Sequence, residues 1–146
     1  MKVFICADDL SLRTHLEEIV GCYAKVPHLN INLGLSTASP HGLLQHLDAH
    51  RTKKALYILD LDIASEIDGF AFASKIRSGD TQGKIIILST HPGLSDLIFL
   101  HKIEALDYII KGDPDYVTLK IKRCIKTAYQ RCQAYNDFFG GSYRQL

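Results

Sequence analysis

Apolar positions along this 146-residue chain follow two alternating rhythms. Short aliphatic or β-branched runs, "KVFICA" (2–7), "NINLGLS" (30–36), "ALYILD" (55–60), "KIIILS" (84–89) and "DYII" (107–110), read as strands. Between them apolar residues recur at helical spacing. Leu12, Leu16, Ile19, Val20 and Tyr23 mark one face of a first helix. Ser39 and Pro40, a side-chain cap followed by a first-turn proline, open a second that carries Leu43, Leu44 and Leu47. "GFAFASKIR" (69–77) resumes the helical period until "SGDTQG" (78–83) breaks it, and "LSDLIFLHKI" (94–103) gives a fourth helix. Pro114 opens a long final one, residues 114–135, with Val117, Ile121, Cys124, Ile125, Ala128, Cys132 and Tyr135 on one stripe. Five strand–helix units in this order predict an α/β fold, a parallel sheet covered by helices, with the unbroken fourth run buried on both faces. At 1.5 Å per residue the final helix spans roughly 33 Å, more than such a sheet needs, so it is expected to project toward another domain. "NDFFGGSYRQL" (136–146) reads as a linker.

Composition narrows the class. A hydrophobic content of 47% in 146 residues is enough for one domain with its own core. The formal net charge of +1 supplies no field that would hold a polyanion, so any nucleic-acid contact would have to rest on a local patch or on another domain. Cys6, Cys22, Cys124 and Cys132 show no CxxC spacing and are read as reduced packing residues. The opening "MKVFICADD" is too short and too soon acidic for a signal segment, and no run approaches spanning length, so a soluble cytoplasmic protein with no membrane partner is expected.

Open parallel sheets bind ligands outside the carboxyl ends of their strands. The first strand ends at Asp8 and Asp9, and the third at Asp60 with Asp62 two residues on. If the two strands are neighbours, at least three carboxylates share one small volume. A like-charged pair about 4 Å apart costs about 4 kcal/mol at an effective dielectric of about 20, so such a cluster calls for a cation. Oxygen-only ligands suit Mg²⁺ rather than zinc. Ser89 after the fourth strand and Lys111 after the fifth add a hydroxyl and a cation of the kind phosphoryl oxygens take. Any one of these residues alone is most simply a solvated loop residue; their joint placement on successive strand ends points to phosphoryl chemistry.

This constellation resembles the receiver domain of bacterial two-component response regulators, over residues 1–135. The resemblance implies a flavodoxin-like three-layer sandwich with five parallel strands in the order 2-1-3-4-5. It also implies that Asp60 is phosphorylated by a sensor histidine kinase with Mg²⁺, held directly by Asp9, through water by Asp8, and by the backbone carbonyl of Asp62. Ser89 would take the position of the phosphoryl-sensing hydroxyl, Lys111 that of the partner cation, and Tyr108 that of the aromatic that swings inward on activation. No turnover enzyme is implied, only self-phosphorylation and autodephosphorylation. A homodimer through the fourth helix, fifth strand and last helix would be the readout. Some positions depart from the family pattern. The loop "DLDIASEIDG" (60–69) is one residue longer and lacks a Met-Pro pair, Gly112 rather than proline follows Lys111, and Thr90 stands where a small alanine is usual, which leaves both Ser89 and Thr90 as possible sensors. The stretch from Ser89 to Asp113 and the long final helix look like the subfamily with a LytTR-type DNA-binding output in peptide quorum sensing. Residues 136–146 would lead to that output domain, through which alone DNA would be reached.

Other assignments compete. Asp60 and Asp62 also form the DxD of haloacid-dehalogenase phosphatases, with "KGDPD" (111–115) like their downstream motif, but residue 64 is Ala where threonine or valine is expected, and in that fold the DxD strand comes first. A pseudo-receiver used only as an interaction module is a third reading, against which the complete acidic set speaks. His46 and His50 lie four apart on the second helix and read as a solvated face rather than a metal site. His91 reads as a loop residue near the site. Lys120, Lys122, Arg123, Lys126 and Arg131 make the last helix basic and read as an exposed face rather than a contact surface. "LIFL" (97–100) has apolar groups on more than one helix face, fitting core packing or a partner surface.

Overall fold

Each of the first three helices starts where the sequence supplies a side-chain acceptor. Asp9 accepts from the Leu12 amide at 2.8 Å, Ser39 from Gly42 at 3.0 Å and Asp68 from Ala71 at 3.4 Å. The computed structural model describes residues 1–91 and 101–135. Its elements are β1 (Lys2–Cys6), α1 (Leu10–Ala24), β2 (Asn32–Thr37), α2 (Pro40–Ala49), β3 (Leu56–Asp60), α3 (Gly69–Gly79), β4 (Lys84–Ser89), β5 (Asp107–Ile110) and a final helix (Pro114–Tyr135). Of the predicted fourth helix, residues 101–103 are helical; the rest, with "LIFL", lies outside the described residues, as do residues 136–146.

All strand pairs are parallel, in the order β2-β1-β3-β4-β5. Alternation along the strands divides the core into two layers. Val3, Ile5, Leu56, Ile58, Ile86, Leu88 and Ile109 face α1 and the final helix. Phe4, Cys6, Tyr57, Leu59, Ile85 and Ile87 face α2 and α3. β4 is buried from Ile85 through Ser89, as its unbroken apolar run predicts. Close packing dictates glycine at one position: a Cβ on Gly34 would lie 2.5 Å from the Phe4 ring, which stacks on Tyr57 at 5.4 Å.

The pole opposite the strand ends carries a feature the sequence did not announce. Asp80, 4% exposed, accepts from the amides of Lys54 (2.9 Å) and Ala55 (3.0 Å) and from the Tyr57 hydroxyl (2.9 Å). Burial, and next the Asp80 charge, push the Tyr57 phenol far up, so it stays a donor. Gly83 leaves room for this cluster, since a Cβ there would lie 2.7 Å from Asp80 Oδ2. One carboxylate thus fixes the entry to β3.

The final helix buries Val117, Ile121, Cys124, Ile125 and Ala128 and exposes Lys122, Arg123, Lys126 and Arg131. Lys120 instead pairs with Asp107 of β5 at 3.0 Å. Two assignments change. Cys22 is exposed rather than packed, and His46 is half-buried rather than solvated, tilted against Phe4 at 5.9 Å and stacked on His50 at 4.5 Å. No helix among the described residues is long and apolar enough to cross a membrane.

Two predictions follow from this packing. Tyr57→Phe, which removes one donor to Asp80, is expected to cost about 1 kcal/mol, and Asp80→Ala, which strands three donors, about 3 kcal/mol, read as shifts in the urea midpoint. Burial, reinforced by Asp60 and Asp8, raises the Cys6 thiol to about 12; burial and Asp107 do the same for Cys124. Their folded values lie above the ordinary 9.0, so the stability they contribute is complete below that pH and lost as pH rises toward about 12. At pH 8 a thiol reagent should therefore label Cys22 at once, and Cys6 and Cys124 only on unfolding.

Candidate functional site

Strand alternation aims the central carboxylate. Asp60 continues the face of Leu56 and Ile58, and Lys111, just past β5, continues that of Ile109. The Asp60 side chain, 1% exposed, ends β3 beside buried Ala7, whose methyl leaves room on the β1 side. Across the β4 ladder, the Lys111 ammonium donates to both Asp60 oxygens at 2.9 Å. The Asp62 amide donates to Asp60 Oδ1 at 2.9 Å. Lys111 is itself fixed by its amide, which donates to the Ser89 carbonyl at 2.9 Å, and by the turn at Gly112, whose φ of +141° suits glycine. No cis peptide occurs among the described residues.

The Asp62 side chain also enters the site, whereas the family resemblance implies only a backbone role for it. Its Oδ1 accepts from the Ser89 hydroxyl at 2.9 Å, and its Oδ2 from the Thr90 amide at 2.8 Å and lies 2.9 Å from the Lys111 ammonium. Burial pushes the Asp62 carboxyl up, but the bonds from Lys111, Ser89 and Thr90 outweigh it and hold the group at about 2. For Lys111, burial acts downward and the Asp60 and Asp62 bonds win, so its pKa is raised. The ammonium thus lies against three carboxylate oxygens, two of Asp60 and one of Asp62. The one signal in the sequence was the DxD spacing, which places two acids on the same side of the strand end.

Both hydroxyl candidates reach Asp62: Ser89, 5% exposed, turns its hydroxyl to Oδ1, and Thr90 acts on the carboxylate through its amide and its side chain, its hydroxyl also lying 3.1 Å from His91 Nδ1. His91 is exposed, with Nδ1 3.6 Å from Asp62 Oδ1. Tyr108 is half-buried, and its hydroxyl donates to the His91 carbonyl, tying β5 to the loop after Ser89.

Asp8 and Asp9 are exposed, and the Asp9 carboxylate caps α1. Among the described residues no three metal-donor side chains are gathered as ligands. Asp60, Asp62, Ser89 and Lys111 come together, while Asp8 and Asp9 stand at the rim beside them. Asp9 lines the same cleft as Lys111, between α1 and the start of the final helix. Asp8, Asp9 and Asp60 offer only oxygen donors, the chemistry that suits Mg²⁺ rather than zinc, though their side chains are not gathered around one point in this structure.

A parallel sheet of this order with an acid–lysine pair at the strand ends defines a receiver-type signalling domain, and the family comparison agrees: residues 3–122 match the response regulator receiver domain, and the chain belongs to that family. It is 33% identical over 131 residues to accessory gene regulator protein A of Staphylococcus epidermidis, and 32% identical over 133 residues to that of Staphylococcus aureus. These matches cover 90% and 91% of this chain but 55% and 56% of the relatives, so the chain spans about half their length. Among solved structures, the response regulatory domain of mrkE from Klebsiella pneumoniae is similar in fold, with a TM-score of 0.70 at 19% identity, covering 90% of this chain and 99% of that one. Family membership replaces the phosphatase reading of the DxD; proteins of this family are regulators rather than conventional enzymes.

Lys111→Ala removes the counter-charge of a buried carboxylate and is expected to lower stability by about 3 kcal/mol in urea titration. Adding Asp60→Asn should recover most of that loss, because a neutral amide needs no cation.

Proposed function

We propose that this domain accepts a phosphoryl group on Asp60 from a sensor histidine kinase and uses it to change its own assembly. The observation that carries this reading is the Lys111 ammonium bridging both oxygens of a buried carboxylate at the end of β3, with the Ser89 hydroxyl on the adjoining strand. Asp60 Oδ1 accepts from both Lys111 and the Asp62 amide, which leaves Oδ2 the less encumbered oxygen for attack. As Oδ2 bonds to phosphorus in line, the P–N bond to the donor histidine breaks, its electron pair leaves on the imidazole, and an acyl phosphate remains on Asp60. A cleft of about 940 Å³ between α1 and the start of the final helix, lined by Asp9 and Lys111, gives the donor an approach.

Mg²⁺ would be held by Asp9 and Asp60, by Asp8 through water and by the Asp62 carbonyl, and when bound would supply charge neutralisation at the rim. Asp9 would exchange its cap on Leu12 for this role. Lys111 orients Asp60 and then pairs with the phosphoryl oxygens. Ser89 turns its hydroxyl to the new anion, and Tyr108, linked to His91, follows the loop inward. The response would be dimerisation through the fourth helix, β5 and the final helix. It would act on transcription through a LytTR-type output beyond residue 146, in peptide quorum sensing, in the cytoplasm.

Incubation with acetyl phosphate and Mg²⁺ tests the assignment. Asp60→Asn should take no label while remaining folded; persistent label would move the acceptor elsewhere. Asp9→Ala should weaken Mg²⁺ binding by about tenfold or more, since even groups behind a metal ligand carry about that much.

A further inference from the structure

We infer that the Asp62 carboxylate is an internal occupant of the phosphoryl seat, an anion built into the chain that the phosphoryl group on Asp60 must displace. The inference rests on the phospho-acceptor reading of Asp60 and adds a residue that controls it. The seat is defined by its donors: the Ser89 hydroxyl, the Thr90 amide and the Lys111 ammonium. All three lie within 2.9 Å of Asp62 oxygens. Two planar oxygens of one carboxylate thus take up the groups that phosphoryl oxygens would need. The same ammonium also lies 2.9 Å from both Asp60 oxygens, so it serves the two carboxylates at once.

Two anions cannot share these donors. A phosphoryl group attached to Asp60 alongside an unmoved Asp62 would set like charges about 4 Å apart, at about 4 kcal/mol for an effective dielectric of about 20. Asp62 therefore has to swing out, and the direction is open: its side chain is 21% exposed, and the exposed His91 stands on its solvent side at 3.6 Å. The backbone of Asp62 need not move, so its carbonyl stays available at the rim. In the resting chain the carboxylate also holds Ser89 and the Thr90 amide in the inward arrangement that a phosphoryl group would impose. Binding any phosphoryl-like anion is then weakened by the fraction of time the seat is filled; a seat open about one-tenth of the time raises the half-saturating concentration about tenfold.

Beryllofluoride with Mg²⁺, a non-transferable stand-in for the phosphoryl group, tests this on the full chain, with binding followed through the Thr90 amide resonance. Asp62→Ala and Asp62→Asn should both lower the half-saturating concentration about tenfold, and the gain should persist from about 50 mM to about 500 mM salt, where exposed charge effects are screened. No gain, or one that disappears at high salt, would overturn the occupancy and leave ordinary charge repulsion. A second measurement needs no ligand. The Thr90 amide should exchange slowly with solvent hydrogen in the wild-type chain and rapidly in Asp62→Ala; equal protection in both would also overturn it. Failure of wild-type Asp60 to accept label from acetyl phosphate is a separate result that removes the phospho-acceptor reading itself.

Discussion

A carboxylate taken out of water at the end of a central strand needs a cation brought to it, and much of this molecule serves that need. Asp60 and Lys111 are fifty-one residues apart in sequence and meet at 2.9 Å. They lie on strands separated by β4, roughly 10 Å in two ladder steps, a gap that a lysine stem and an aspartate together span. The contact therefore requires the order β3-β4-β5, both side chains on the same face, and the register that places Ser89 beside Ile110. Each condition follows from strand alternation and from the packing of α1 and the final helix on that face.

The two poles of β3 are fixed by opposite means. At its start Asp80 takes two backbone amides and the Tyr57 hydroxyl, a neutral-donor site closed to solvent. Five residues further on, Asp60 is held by charge. With the entry pinned at Ala55 and the length set by five buried residues, the strand delivers its last carboxylate to a defined height at the rim. Stability is invested at the closed pole, and the open pole is free to exchange partners.

At that open pole the hydrogen bonds form one connected set rather than separate contacts. Lys111 joins Asp60 to Asp62, Asp62 joins Ser89 to the Thr90 amide, and His91 carries the chain on to the Tyr108 hydroxyl. The set runs from Asp60 at the end of β3 to Tyr108 on β5 through a handful of direct contacts. Discrete partners that can be traded, not gradual deformation, are what a two-state response requires.

Much of this was legible before any coordinates. Alternating strand and helix periods gave all five strands and four of the helices close to their observed limits, because each signal is local: a cap such as Ser39, a proline at 40 or 114, an apolar run such as residues 84–89. The same pattern put Asp60, Ser89 and Lys111 on strand ends. What remained hidden was where side chains go once the strands are paired. Asp9 spends its carboxylate on a helix cap, His46 finds Phe4, Cys22 faces solvent, and Asp80, read as part of a breaker, is the buried anchor of β3. Asp62 shows the division most clearly. Residue type and spacing mark it as an acid near the rim, but its engagement with Ser89, Thr90 and Lys111 depends on donors brought from two other strands, and no local rule carries information about partners 27 and 49 positions away.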